Sequence, residues 1–389
     1  MFLLGRVYIA GVGLTKVGDH WGKSITDLAV EAGFKTLQMA HPVQPDHVVV
    51  GNMFSAYSSR QEHLGALVAN GLGLTGLPAY KVEAACASGG AAANVGYNLV
   101  KSGEAQAVLV IGVEKMRDLE PAEVSEALCM AESAEYTQFF GASFVSLNAL
   151  LARLYMQEYN VSRDELSSIP VLAHKNASTA EHAQFTKTIT TDDVARSMMV
   201  SDPLRLLDCA PVGDGAAAIL MVSEGNDQIP ASGMVEVLSS AVATSRFSFY
   251  ERDDMLDLDA TKQAAQRALK AAGISISDVD FVEVHDAFSV IGALSLEALG
   301  FSKKGEGARD AKAGRFDREG TLPANTFGGL KARGHPVGAT GIYQLAEAFL
   351  QLTRKAGQNQ VKRARYALAQ NIGGVDTTAT VHVLAKGRK

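Results

Sequence analysis

The 389 residues contain three cysteines, one tryptophan and ten prolines. Cys86, Cys129 and Cys209 are too few and too scattered for a disulfide framework, and no CxxC pair offers zinc ligands. A reducing compartment is the simplest setting for such thiols. No apolar run approaches the ~20 residues that a bilayer-spanning helix requires. The opening "MFLLGRVYIAGVGLTKVG" lacks the basic start and small-residue cleavage site of a secretory signal, and reads instead as a strand and a Gly-rich turn. The closing "LAKGRK" matches no peroxisomal signal. A cytoplasmic protein without membrane association is expected. There is no excess of positive charge either: the net charge is −6, which argues against a general nucleic-acid binder and leaves room for local basic patches facing an anionic substrate.

Apolar residues (47%) and 37 glycines are plentiful. The length calls for two domains or one large duplicated unit. Strand and helix patterns alternate. "RVYIAGVG" reads as a strand, "SITDLAVEAGFKTLQMA" as a helix with Ser24 as candidate N-cap, and "DHVVVGNMF" and "AVLVIGVE" as further strands. This order implies an α/β fold with a mainly parallel sheet covered by helices. From about 118 to 205 the pattern changes to amphipathic helices and loops, which reads as an insertion. "APVGDGAAAILMVSE" then returns to strand character.

The second half repeats the first. A helix opening at Asp27 leads to "QPDHVVVGNMFS", and one opening at Asp259 leads to "ISDVDFVEVHDAFS". "CASGGAAANVGYNLV…AVLVIGVE" has its counterpart in "GHPVGATGIYQLAEAFLQL…YALAQNIGGV". Two such matches in one order point to duplication, with halves 1–230 and 231–389.

Four short stretches carry candidate chemistry. Cys86 stands where a helix begins, a position that favours thiolate through unpaired N–H groups and the helix dipole. The glycines after it each cost roughly 1 kcal/mol of helix stability relative to alanine, so close packing or a close substrate must compensate. A buried small hydrophobe is the competing reading for Cys86. His335, in "GGLKARGHPVGATG", takes the same place in the second half, with Pro336 suited to a first helical turn. Two such helix starts facing one cavity would pair a nucleophile with a base. His285, in "VEVHDAFSV", ends an apolar strand, where open sheets bind ligands. Asp286 beside it could orient an imidazole or cap the next helix. "NIGG", after "ALAQ", offers bare backbone N–H groups of the kind that form oxyanion holes.

Together these stretches resemble the thiolases over essentially the whole chain. "CASGG" is similar to the nucleophile motif, "GGLKARGHPVGATG" to the Gly-His-Pro motif, "HDAF" to a variant of Asn-Glu-Ala-Phe, and "NIGG" stands in place of Cys-x-Gly-Gly. The His-Asp pattern and Asn371 resemble the sterol-carrier-type and archaeal-type acetoacetyl-CoA thiolases. The resemblance implies a duplicated five-layered αβαβα fold and a 3-ketoacyl-CoA thiolase or acetyl-CoA acetyltransferase of lipid metabolism. It implies no metal and no tightly bound cofactor, with CoA and acyl-CoA as substrates. It implies that Cys86 takes the acyl group, that His335 accepts its proton, and that His285 stands where relatives hold a water in a first oxyanion hole. The backbone N–H groups of Cys86 and Gly373 would form the second. The chain departs from the family at the second catalytic cysteine: Asn371 replaces it in the last motif, and Ala287 stands where sterol-carrier-type enzymes place theirs. In "LLDCAPVGDG" the usual serine is Ala210. His285 is therefore the expected acid/base for the carbon–carbon step. The resemblance also implies a homodimer or tetramer, a small oligonucleotide-binding-fold partner protein and a synthase that consumes the product. The rival functions are a thiolase-fold lyase acting on branched or steroid side-chain CoA esters and a CoA-ester binding or scaffold subunit.

Overall fold

The computed structural model describes residues 5–225, 228–230 and 233–387. The expected boundary between 230 and 231, the first four residues of the opening motif and the last two of "LAKGRK" fall on or beside residues outside these ranges. The strands are β1 (Val7–Leu14), β2 (His47–Gly51), β3 (Ala79–Val82), β4 (Ala107–Glu114), β5 (Met199–Ser201), β6 (Leu204–Arg205), β7 (Gly215–Ser223), β8 (Val235–Thr244), β9 (Phe281–Glu283), β10 (Tyr366–Gly373) and β11 (Thr378–Lys386). Nine of them form one sheet in the order β3-β2-β4-β7-β1-β8-β11-β10-β9, and β5 and β6 form a separate hairpin.

The duplication is written in this order. Read outward from the β1/β8 junction, the first half runs β1-β7-β4-β2 and the second β8-β11-β10-β9, with the same sense at each pairing. The halves join through a ladder of Val7–Ile9 on Val235–Val237. Where the first half adds β3, the second has a single parallel bridge from Val282 to Ala324. The expected parallel strands are the outer ones, β3-β2-β4 and β10-β9. The inner pairs are antiparallel. In the second half the reason is local: β10 and β11 are joined by a short turn, and a tight connection permits only antiparallel pairing.

β4 is buried at all eight positions, as its unbroken apolar run requires of a strand covered on both faces. The helix Ile25–Met39 starts at Ser24 with a capping box: Ser24 Oγ accepts from Asp27 N–H at 3.1 Å, and the Asp27 carboxylate accepts from Ser24 N–H at 2.8 Å. Its counterpart Asp259–Ala272 is capped from a distance. The Asp376 carboxylate, in the β10–β11 turn, accepts from the N–H groups of Ala260 and Thr261 at 2.9 and 3.1 Å.

These two helices cover the outer faces of the halves. Ser88–Ser102 and Thr340–Leu352 pack together between the halves, within one cluster that includes Ala92, Tyr97, Ile342 and Phe349. The layering is helix, first half of the sheet, central helices, second half of the sheet, helix. Here the glycines after Cys86 find their reason. A Cβ on Gly89 would lie 2.9 Å from Gly338 O and 3.1 Å from Gly341 N, and one on Gly341 would lie 2.3 Å from Gly90 N. The two central helices cross backbone to backbone at their N-terminal ends, and only glycine fits there. Between β4 and β7 the chain forms the helices Pro121–Cys129, Phe144–Glu158, Arg163–Ala177 and Thr191–Arg196 and the β5/β6 hairpin, which the sequence pattern did not reveal.

Candidate active site

Cys86 sits in the turn that enters the helix Ser88–Ser102 and is only 3% exposed. Ala85 before it takes a left-handed φ of 51°, a conformation costing on the order of 1 kcal/mol in a non-glycine residue. Ser88 holds the turn: its Oγ accepts from Ala84 N–H at 2.9 Å and donates to Ala85 O at 2.6 Å. Gly373 packs on the same turn, where a Cβ would come within 2.2 Å of Ala84 O. Cys86 and His335 line one cavity of about 380 Å³. Its walls are largely apolar, from Leu119, Val124 and Leu128 to Phe144 and Phe288, and Met198 and Val200 of the hairpin segment stand beside it. A larger apolar groove of about 550 Å³, lined by Leu147, Leu150, Leu154 and Tyr250, holds none of the site residues.

His335 precedes its helix by more than the sequence implied. Pro336 opens a 3₁₀ turn, Val337–Ala339, and the α-helix starts at Thr340. The Thr340 hydroxyl donates to Pro336 O at 3.3 Å and lies 2.7 Å from His335 Nδ1. With the Thr340 hydroxyl turned to Pro336 O, its oxygen accepts from Nδ1–H, the tautomer that leaves a lone pair on Nε2. His285 has the opposite tautomer. Its Nδ1 receives Ile372 N–H at 3.2 Å and the Asn371 side-chain amide at 3.1 Å. A backbone N–H can only donate, so Nδ1 carries the lone pair and Nε2 the proton. The two rings meet edge to face, with centroids 5.2 Å apart. Asn371 Oδ1 also accepts from Gly90 N–H at 3.4 Å, tying His285 to the Cys86 helix.

A family model for the thiolase N-terminal domain matches residues 7–225, and one described as thiolase C-terminal domain-like matches 241–386. An acetyl-CoA acetyltransferase of Methanothermobacter thermautotrophicus is 42% identical over 382 residues, covering 98% of this chain and 99% of that protein. The chain belongs to the thiolase family. Sterol carrier protein 2 of Homo sapiens is 32% identical over 95% of this chain and 70% of its own length. Among solved structures, the Ltp2-ChsH2(DUF35) aldolase superposes with a TM-score of 0.86 at 25% identity, covering 100% of this thiolase and 99% of that chain.

The electrostatics of this thiolase site are governed by burial. Burial, with the Glu114 charge second, pushes the Cys86 thiol up to about 12. The helix start does not yield a resting thiolate, because desolvation of the charged form outweighs the N–H groups. Burial and then the Arg333 charge hold His285 down at about 3; burial, His285 and Arg333 hold His335 well below the usual imidazole range. The Cys86 thiol and both imidazoles rest neutral. Asp286, a sequence candidate for orienting an imidazole, turns elsewhere: Oδ1 accepts from Leu330 N–H at 2.7 Å, bracing the loop that leads to His335. Arg333, fully buried, holds that loop from the other side through Glu347 at 3.1 Å and its own Nη1 on Gly334 O at 2.9 Å.

Sequence reasoning overlooked Glu114, Thr340 and the bonding role of Asn371. Glu114 ends β4, and its Oε2 accepts from Met53 N–H at 2.9 Å and Gly338 N–H at 3.0 Å, clamping the two halves beside the site. Its signal was a carboxylate closing an otherwise apolar strand. Cys129 bonds Ala142 O from within the insertion, while Cys209 lines the Cys86 cavity. No group of three or more metal-ligating side chains occurs among the described residues, and no described helix is long and apolar enough to cross a membrane.

Proposed function

We propose that this thiolase interconverts a 3-ketoacyl-CoA plus CoA with an acyl-CoA plus acetyl-CoA, acetoacetyl-CoA being the simplest substrate, through an acyl group carried on Cys86. The observation that carries this reading is that Cys86 and His335 line one cavity, with the His285 ring packed edge to face against His335 behind it at 5.2 Å and its proton on Nε2. His335 takes the Cys86 proton as the thiol attacks the carbonyl carbon. The developing oxyanion is held by the donor tautomer of His285, directly or through a water, and at the second hole by the N–H groups of Cys86 and Gly373. One such donor supplies about 2.7–4 kcal/mol of transition-state stabilisation. Because Cys86, His285 and His335 all rest neutral, charge separation among them is made only with substrate in place. The name of the Methanothermobacter relative, acetyl-CoA acetyltransferase, supports acetyl transfer. A lyase reading leaves the braced Cys86 turn without a task.

CoA and acyl-CoA act as substrates, with no tightly bound cofactor. The three free thiols support a reducing, cytoplasmic setting. The DUF35 component in the aldolase complex's title supports a small protein partner, and the open edge of β3 supports a homodimer built edge to edge. The test is conversion of acetoacetyl-CoA and CoA to two acetyl-CoA by the purified chain. Turnover that disappears in Cys86→Ala is expected; full turnover in that variant overturns the assignment, and no turnover in the intact chain favours the scaffold reading.

A further inference from the structure

The carbon–carbon step needs a group that gives a proton to C2 of the leaving acetyl-CoA and takes one back in condensation. His285, the sequence-stretch candidate, is unsuited. Its Nδ1 is occupied by two donors, so Nε2–H could give up its proton only by forming an imidazolate, and its ring lies edge-on against His335, almost fully buried and outside the cavity lining. Asn371 and Ala287 do not titrate. The titratable side chains that line the cavity are Cys86, Arg117, Cys209 and His335. Cys86 carries the acyl group, His335 holds its proton, and an arginine does not deprotonate in a protein.

Resting on the thiolase reading above, we propose that Cys209 is the acid/base of the carbon–carbon step. The backbone delivers it there. Cys209 forms an antiparallel bridge with Phe288, and Ala210 N–H donates to Ala287 O at 2.8 Å, so the segment before β7 runs alongside the His-Asp-Ala-Phe stretch. All four of these residues line the cavity with Cys86. A thiol thus reaches the Cys86 cavity from the first half, next to Ala287, although the His-Asp stretch itself carries none. The Cys209 Sγ–H donates to Arg205 O at 3.4 Å, so it rests as a thiol. Burial, then Asp208, push it up to about 12, against the charges of Lys331 and Arg163.

The protons balance. In thiolysis the Cys86 sulfur bonds to C3 of the ketoacyl chain, the C2–C3 bond breaks with its electron pair going to C2, and Cys209–SH protonates C2, releasing acetyl-CoA. The Cys209 thiolate then takes the proton of the incoming CoA thiol. CoA sulfur bonds to the acyl carbon, and Cys86 leaves with its electron pair to recover the proton held by His335. Condensation runs these steps in reverse.

The test uses the full chain with Cys209→Ala and Cys209→Ser, reading two activities. One is exchange of labelled CoA into acetyl-CoA, which needs only acyl-Cys86 because CoA departs as a thiolate that water can protonate. The other is thiolysis, together with deuterium uptake into the acetyl methyl group in D₂O. Both variants are expected to lose thiolysis and deuterium uptake by about 10²–10⁴-fold, the contribution of a general acid–base, and to lose exchange by at least about tenfold less, because there the Cys209 thiol only carries the CoA proton, which water can carry instead. Wild-type thiolysis and deuterium uptake in Cys209→Ala would overturn the proposal and give both proton transfers to His335. Serine restoring thiolysis, or equal losses in both activities, would overturn it as well, leaving Cys209 a packing residue. If the wild-type chain shows no exchange, it is the thiolase reading itself that fails, and this inference falls with it.

Discussion

Gly341→Ala probes the crossing that brings the Cys86 and His335 turns together. In an ordinary helix interior the change would add about 1 kcal/mol of stability. Here the new Cβ would lie 2.3 Å from Gly90 N, 2.9 Å from Gly90 Cα and 2.5 Å from Asn371 Oδ1. The first two are backbone atoms of the opposing helix, so no rotamer change relieves them, and the helices must part by roughly 1 Å to reach ordinary contact. Overpacking of this kind costs about 1–3 kcal/mol and sometimes more. With backbone on one side and a buried amide on the other, the upper end applies, and the net effect is a loss of about 2 kcal/mol. The displacement also moves the Cys86 turn relative to His335 and pushes Asn371 off His285; a misplacement of about 1 Å costs up to ~10²-fold in rate. Urea unfolding gives the first number and steady-state thiolysis the second. Gly96→Ala, in the same helix as Cys86, is the control. Its Cβ would press chiefly on the end of the Val110 side chain, 2.6 Å away, so it should spare the rate. A Gly341→Ala protein with unchanged unfolding midpoint and unchanged kcat/KM would refute the crossing as the reason for the small residues.

Alkylation of Cys86 in the substrate-free enzyme should quicken about tenfold per pH unit from pH 7 to 10, because the thiolate fraction rises in that proportion below a thiol pushed up to about 12. A plateau near pH 8 would show a thiolate poised by the helix start instead. Asn371→Asp places a carboxylate 3 Å or so from His285 Nδ1, where the amide now lies at 3.1 Å. It should draw the ring proton to Nδ1, visible in the ¹⁵N resonances, and lower thiolysis by about 10²–10³-fold, as loss of an oxyanion donor does. An unchanged ¹⁵N pattern contradicts the tautomer argument. Glu114→Gln turns an amide N–H₂ or a lone carbonyl toward two backbone donors and should cost about 1–3 kcal/mol in urea unfolding. Wild-type stability in that variant would remove Glu114 from the clamp between the halves.

Much of the fold was legible because its signals are local. β4 and β10 coincide with apolar runs, Ser24 with its capping box, and the repeat of helix and strand with the mirrored sheet order. Inner-strand direction was not legible, since β10 and β11 are joined by a turn whose residues, "GVDT", carry weak hairpin chemistry. At the site, the turn chemistry around Cys86 and His335 was visible in sequence, and the structure brings both to one cavity. The state of those groups was not. The Cys86 thiol is set by burial, a tertiary quantity that overrides the helix start. The tautomer of His285 is set by Ile372 N–H, from a strand far along the chain. Cys209 in isolation was one of two spare thiols, and its bridge to Phe288 and its place on the Cys86 cavity distinguish it from Cys129.

The central claim is that an acyl group passes through the Cys86 sulfur. The most direct measurement is mass analysis of the chain after brief incubation with acetyl-CoA without added CoA, followed by acid quench and proteolysis. One acetyl group on the peptide bearing Cys86, removed when CoA is added and absent in His335→Ala, is the predicted result. An unmodified Cys86 peptide in an enzyme that turns over acetoacetyl-CoA, or acetyl on Cys129 or Cys209 in its place, would contradict the account.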